Sequence, residues 1–367
     1  MATPASCRER FLAVMDYQPR SGWTPPLHFA GPWPDTFARW HREGLPPDCD
    51  PLDHLGVGDR LQAYNYAYAF GLHPRFERKV LEETADHVIF LDDVGRTVKD
   101  FKNHTTMPEW LTLPVQSEDD LRRIIDERFD PARMGERFPP GLERQIRDAD
   151  AAGKVLICND GGFYWVLREL AGVDGASFLL YDAPDTVNRL FDRLEEMILE
   201  GMRRLFPVAV PDVVGYGEDI AFKTGPLLSP AMFREFILPR YRRILDYSHA
   251  QGVRHTWYDS DGDLRLLLPD MLAIGIDGIA PCEVAAGMQP NDLRRRFGRD
   301  LRMLGGIDKR EIAKGRHAID AELARLRPVF DEGGFIPCID HSVASDTSWD
   351  DYQYFVERMQ DLYAGRL

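Results

Sequence analysis

The chain has 367 residues, 44% of them hydrophobic and 29% charged, with a formal net charge of −15. Such a composition suits a globular protein long enough to bury a large core, and its acidity argues against nucleic acid as a main partner. The clusters Arg242-Arg243 and Arg294-Arg295-Arg296 read as solvated helix faces rather than a basic stripe.

In chain order, Cys7–Asp16 places Phe11, Leu12 and Met15 on one helical face, and nothing in this charged N-terminal segment resembles a signal peptide. Residues 24–30 (TPPLHFA) read as a first strand entered through prolines and broken by Gly31-Pro32-Trp33. A loop carrying one helix, Thr36–Arg42, follows, and a second strand is expected between residues 59 and 67. Alternating apolar and charged residues around Asp92-Asp93-Val94-Gly95 predict an antiparallel hairpin, half exposed. Ser117 caps a helix to about Arg128, and another helix runs from about Gly141 to Ala152. Val155–Cys158 is a buried-strand pattern closed by Asn159-Asp160-Gly161-Gly162. Helices Tyr164–Leu170 and Pro184–Leu205 lead to the strand Val213–Tyr216, which ends at Gly217-Glu218-Asp219. Pro230–His249 is helical, with Ser229 as N-cap. The stretch 253–283 then reads strand, polar loop Asp259-Ser260-Asp261-Gly262, helix from about Leu264 to Ala273, and strand Gly278–Pro281 ending in Cys282-Glu283. A helix from Pro290 to Gly298, a strand Leu301–Leu304 ending near Asp308, a helix Ala318–Phe330, a strand Phe335–Ile339 ending in Asp340-His341 and a helix Trp349–Tyr363 complete the chain.

Eight strands with helices between them predict an α/β fold, a (β/α)8 TIM barrel forming one domain over residues 1–367. It carries an N-terminal extension and an insertion over about residues 75–150, a hairpin plus helices. A doubly wound open sheet is the alternative, and no G-x-G-x-x-G follows any strand to favour it. The five cysteines, Cys7, Cys49, Cys158, Cys282 and Cys338, contain no C-x-x-C, which points away from a disulfide framework or a ribbon-type zinc site. No apolar run approaches the ~18 residues of a membrane span, and the expected setting is the cytoplasm, with no membrane partner.

In such a barrel the carboxyl ends of the strands meet in one mouth. They bring Asn159, Asp160, Glu218, Asp219, Asp259, Asp261, Glu283, Asp308, Asp340 and His341 together, with Lys223 available to neutralise acids or bind an anion. Crowded acids raise one another's pKa unless a cation or donor offsets them, so proton chemistry and metal binding are both expected uses. The alternative for each acid is a helix cap or loop acceptor, and for His341 an ordinary loop histidine. His255 lies inside a strand and reads as a core residue.

These residues resemble the uroporphyrinogen decarboxylase superfamily, whose members also include methyltransferases that move methyl groups between corrinoid proteins, thiols and zinc. The most specific stretches are TGPLLSPAMFREFILPRYRRI (224–244), DSDGDLRLLLPDMLAIGIDGIAPCEVAAGM (259–288), LGGIDKREIAKG (304–315) and DHSVASDTSW (340–349). Asp340-His341-Ser342-Val343 matches the family's late GHGV-type motif. True decarboxylases carry an Arg-rich loop after the first strand that holds the substrate's carboxylates, where this chain has LHFAGPW (27–33) with no Arg. Their catalytic Asp is matched only superficially by Asp92, which the hairpin reading makes a turn residue. Zinc methyltransferases of the superfamily use H-x-C-G after the fifth strand and a cysteine after the eighth; the corresponding positions here are Asp259, Asp261 and His341, without a thiolate.

The resemblance therefore implies a methyltransferase-like enzyme acting on a small or medium organic substrate. His341, Asp261, Glu218 and Asp219 would be catalytic, and Asn159, Glu283, Asp308 and Lys223 would bind substrate. Asp259, Asp261 and His341 would hold zinc or another divalent metal, or orient substrate with no metal at all. A corrinoid protein as methyl donor or acceptor is an implied partner, and members often form homodimers. The alternatives are a cofactor-free decarboxylase, a lyase in which an acid or His341 protonates the carbon as CO2 leaves, and a non-catalytic binding barrel.

Overall fold

The computed structural model describes residues 5–20, 22, 24, 31–57, 60–102 and 107–367. Its strands in chain order are β1 (Ala63–Tyr66), β2 (Lys79–Glu83), β3 (His87–Leu91), β4 (Thr97–Phe101), β5 (Glu109–Thr112), β6 (Val155–Gly161), β7 (Val213–Gly217), β8 (Ala221–Phe222), β9 (Gly225–Pro226), β10 (His255–Asp259), β11 (Gly278–Cys282), β12 (Arg302–Ile307) and β13 (Phe335–Ile339). Seven of them form one parallel sheet in the order β1-β6-β7-β10-β11-β12-β13. Successive strands of this sheet are always neighbours, with helical connections between them. A doubly wound sheet must reverse its order at a switch point, so this is the connectivity of a TIM barrel. The expected first strand, residues 24–30, lies outside the described residues except for Thr24. Just beyond it, Pro32 bridges Val343 in parallel and the Trp33 N–H donates to the Val343 carbonyl at 3.2 Å. The chain at residue 32 thus lies beside the segment that follows β13.

The strands form where short apolar runs can be covered on both sides: every residue of β11 and β13 is buried. The helix Pro184–Leu205 shows how the outer layer is attached. Val187, Leu190, Phe191, Leu194, Met197, Ile198, Met202 and Leu205 recur at helical spacing and are buried, each worth about 1.5–3 kcal/mol over exposure. The N-terminal helix Cys7–Met15 opens with a Ser6/Glu9 capping box and packs against the amino-terminal end of the barrel. Its Phe11 meets Trp257 edge-on at 5.7 Å, and its Val14 carbonyl accepts the Gly334 N–H at 2.7 Å. Among the described residues no helix is long and apolar enough to cross a membrane.

Proline and glycine explain where helices depart from the sequence expectation. The helix expected from Leu264 starts at Leu268, because Pro269 is accommodated in a first turn and not in a helix interior. Between Pro230 and Ala250 a π-helical segment, Phe233–Ile237, precedes Leu238–Ala250. Pro239 has no N–H to offer the Glu235 carbonyl, and the wider turn absorbs that loss. The helix Phe163–Asp182 breaks at Gly172 (φ 71°, ψ 178°), which ends its first part close to the expected Leu170.

The insertion is larger than one hairpin. β2, β3, β4 and β5 make a four-stranded antiparallel sheet. Asp92 is the turn residue of its central hairpin: Oδ1 accepts from the Val94 N–H (3.0 Å) and the Arg96 N–H (2.8 Å), and Oδ2 accepts from Arg96 Nε at 2.7 Å. That use of the carboxylate fits the turn reading and leaves it away from the barrel mouth.

Candidate functional site

Most acids at the strand ends brace one strand end to the next. Glu218, directly after β7, is fully buried. Its Oε1 accepts from the Phe163 N–H (2.8 Å) and the Tyr241 hydroxyl (2.5 Å), and its Oε2 accepts from the Trp165 N–H (2.9 Å). These amides open the helix Phe163–Asp182, whose N-cap is Gly162 and therefore has no side chain to offer; the neighbouring strand supplies the cap. A Cβ on Gly162 would sit 2.2 Å from Glu218 Cδ, so glycine is required there. Burial pushes the Glu218 carboxyl up to about 7.

The same use recurs around the mouth. Glu283 accepts from the Gly262 N–H (2.8 Å), and Asp340 accepts from the Val284 (2.9 Å) and Lys309 (3.2 Å) N–H groups. Burial lifts Asp340 to about 6. Asp308 caps the helix Lys309–Ile312 and is clamped by Arg310 at 2.8 and 2.6 Å. Asp219 adopts the left-handed region (φ 46°), strained for a non-glycine residue. There it accepts from Arg168 on Oδ2 (2.8 Å) and from the Asp261 N–H on Oδ1 (3.3 Å).

Asp259, Asp261 and His341 are left facing open space. A cavity of about 480 Å³ at the carboxyl end of the barrel is lined by Phe70, Trp165, Asp259, Asp261, His341 and Ser342 among others. A second, of about 380 Å³, lies within the barrel, and Gly217 and Asp259 are walls of both. Asp259 takes no side-chain hydrogen bond among the described residues. The residue is exposed through the cavity, but protein surrounds its carboxyl closely enough that desolvation, then the like charges of Asp261 and Asp219, raise it to about 7. His341 Nδ1 accepts the Ser342 N–H at 2.8 Å, so the neutral ring carries its proton on Nε2, which stands 3.5 Å from Asp261 Oδ2. Asp261 raises the imidazole's pKa. The second proton must enter at Nδ1 and displace the Ser342 amide.

The expected site residues therefore separate. Asp259, Asp261 and His341 meet in the mouth, with Glu218 and Asp219 in its wall. Asn159 faces the inner cavity instead. Asp160, its neighbour, also borders that cavity, but its carboxyl is buried beside Cys158 and Tyr68. Lys223 sits exposed at the tip of the β8–β9 hairpin, and neither it nor Asp308 lines either cavity. His255 is a core residue, its Nδ1 3.0 Å from Asp277 Oδ2. Sequence reasoning missed Phe70, Trp165 and Arg168. The one available signal was the i, i+3 spacing of Trp165 and Arg168, whose guanidinium lies 4.7 Å over the indole.

The sequence model of uroporphyrinogen decarboxylase (URO-D) matches residues 166–362, more than half of the chain and every strand from β7 onward. The chain belongs to the uroporphyrinogen decarboxylase family. Among solved structures, a methyltransferase from Methanosarcina mazei matches 98% of this chain and 99% of its own length, with a TM-score of 0.62 and 15% identity. At that identity the likeness is one of fold. A B12-independent methionine synthase from Shewanella sp. W3-18-1, in complex with selenomethionine, matches 63% of this chain and 67% of its own, with a TM-score of 0.40 and 13% identity, and carries no argument. No curated protein matches the chain.

The zinc that the family resemblance implies would need donors that this mouth does not bring together. Among the described residues no three His, Cys, Asp or Glu side chains come together to hold an ion. Asp261 and His341 pair, but Asp259 does not complete a set with them. Cys282 and Cys338 are buried in the barrel wall, and burial pushes the Cys282 thiol up. These residues do not fit a thiolate-type zinc centre.

Proposed function

We propose that this URO-D family member is a methyltransferase-like enzyme acting on a small or medium organic substrate at the barrel mouth. The observation that carries the reading is the place of Asp259, a carboxyl open to the mouth cavity beside Asp261 and His341 with no side-chain hydrogen bond among the described residues; its surroundings raise it to about 7. A group titrating there is matched to proton transfer at neutral pH. In the direction of demethylation, the protonated Asp259 donates to the heteroatom as its bond to the methyl group breaks. The heteroatom keeps the bonding electrons, and the methyl passes to a nucleophilic carrier docked over the mouth, a corrinoid protein on the family resemblance. Asp259 then regains its proton from water. His341 Nε2–H, oriented by Asp261, offers a hydrogen bond to the substrate, while Glu218 and Asp219 act as positioning residues by fixing the loops that carry Trp165 and Asp261.

Porphyrinogen decarboxylation is the weaker reading. Among the described residues no Lys or Arg lines the mouth cavity, and Arg168 nearby is engaged by Asp219, so a substrate with many carboxylates would enter an acidic site without a clamp. The test is methylcobalamin formation, read by absorbance, from reduced cobalamin and a panel of O-, S- and N-methyl compounds. Transfer should occur with one of them and fall by about 10²–10⁴-fold in Asp259→Asn. Release of CO2 from a carboxylated tetrapyrrole with no acceptor present would establish the decarboxylase. Ligand binding without turnover, unchanged in Asp259→Asn and His341→Ala, would leave a binding barrel.

A further inference from the structure

The interior of a TIM barrel is normally filled by layers of bulky branched side chains. In this barrel several inward positions are small: Ala63 on β1, Gly215 and Gly217 on β7, and Ala280 on β11 all line the inner cavity. The space they leave, about 380 Å³, is walled by Ile157, Trp257 and Leu304 among others. Such a volume is large for a packing defect, since an apolar cavity of about 150 Å³ already accepts benzene. Behind Trp257, Phe11 of the N-terminal helix packs edge-on and backs the wall at that point.

Gly217 makes the cavity a feature in its own right. Many glycines of this chain have a positive φ or lie where a Cβ would collide, as at Gly162 and Gly278. Gly217 has neither property: its φ is ordinary and a Cβ there would meet nothing within 4 Å among the described residues. The fold does not need glycine at this position. Gly217 pairs in register with Asp259, and both residues wall both cavities, so the missing side chain keeps open the neck between mouth and interior.

We propose that the inner cavity is an anchoring subsite for the non-reacting part of the substrate, a group of one to two aromatic rings that carries no anionic charge and bears a hydrogen-bonding substituent. The inference rests on the mouth being the reacting end. An anionic group is excluded because the described lining residues include no Lys, Arg or His but do include Asp160 and Asp259; an unpaired anion there would be strongly disfavoured. The substituent is implied by Asn65 and Asn159, which line the cavity with amides that take no hydrogen bond among the described residues. Seated this way, the ring system places its outer atoms at Asp259, where the transferred group would be.

Isothermal titration of the whole protein with 2-naphthol and with 2-naphthoate tests this without any turnover. 2-Naphthol should bind, with affinity at least tenfold lower in Gly217→Val and several-fold lower in Asn159→Leu, and 2-naphthoate should bind at least tenfold more weakly than 2-naphthol. If Gly217→Val loses its cooperative melt, Gly217→Ala, which adds one methyl group to open space, should still weaken 2-naphthol measurably. No binding of 2-naphthol, equal binding by the plugged variants, or equal binding of the carboxylate overturns the proposal. Failure of methyl transfer with these results intact would sink the reaction assigned above and leave the subsite standing.

Discussion

Replacing Asp160 by Asn isolates the electrostatics of the barrel wall from those of the mouth. Asp160 is 4% exposed, its Oδ2 has no hydrogen-bond partner, and burial raises it from 3.8 to about 7. The sign follows from proton counting. Between about pH 4 and pH 7 the unfolded chain has released this proton while the folded chain retains it, so stability falls as pH rises through that window and is level above it. At roughly 1.4 kcal/mol per unit, the penalty is about 4 kcal/mol at pH 8 and somewhat under 2 kcal/mol at pH 5. The asparagine amide does not titrate, so whatever its own burial costs cancels between the two pH values. The variant should therefore gain about 3 kcal/mol on the wild type between pH 5 and pH 8. With about 2 cal/mol/K of unfolding entropy per residue over this chain, that is a relative rise in Tm of about 3–4 °C. Calorimetric or fluorescence melts at both pH values measure it. A Tm difference that is independent of pH, or that shrinks as pH rises, would refute the assignment of a buried, proton-retaining Asp160.

Other consequences can be checked in the same preparations. Glu218→Ala leaves the Phe163 and Trp165 amides without their acceptor and should cost about 2–5 kcal/mol by chemical denaturation, with Glu218→Gln milder because one oxygen remains; equal stability of Ala and wild type would contradict the cap. If Asp259 is the acid, kcat/KM falls above about pH 7, and Asp261→Asn, by removing a like charge, should move that limb to lower pH. A limb that stays put or moves upward counts against it. Zinc added to dialysed protein should leave methyl transfer unchanged, whereas stoichiometric zinc that disappears in Asp261→Ala would restore a metal triad. Gly217→Val, as above, should weaken 2-naphthol without loss of a cooperative melt.

The fold was readable from local pattern to a large extent. Trp349–Tyr363, Pro184–Leu205 and β13 stand where the sequence placed them, because capping residues and apolar periodicity act over a few neighbouring residues. The shortened Leu268–Ile274 helix and the π-helical segment before Leu238 deviated at prolines, whose effect on a helix depends on the turn they fall in.

The site was legible only as a collection of residue types. That acids gather at one end of the barrel follows from their position after successive strands, which is a one-dimensional property. Which of them are tied up was decided by where backbone N–H groups of the adjacent strand's loop happen to point. Glu218, Glu283 and Asp340 each meet such donors, Asp308 caps the helix that follows it, and Asp259 meets none among the described residues. Asn159 and Asp160 show the limit most plainly. They are adjacent in sequence and both border the inner cavity, yet the two-residue repeat of a strand leaves the Asn159 side chain exposed and buries the Asp160 carboxyl beside Cys158. Composition and periodicity determined a TIM barrel with an acidic mouth. Only tertiary structure, by setting the neighbours of each carboxylate, decided which charges are spent on holding strands together and which remain free for chemistry.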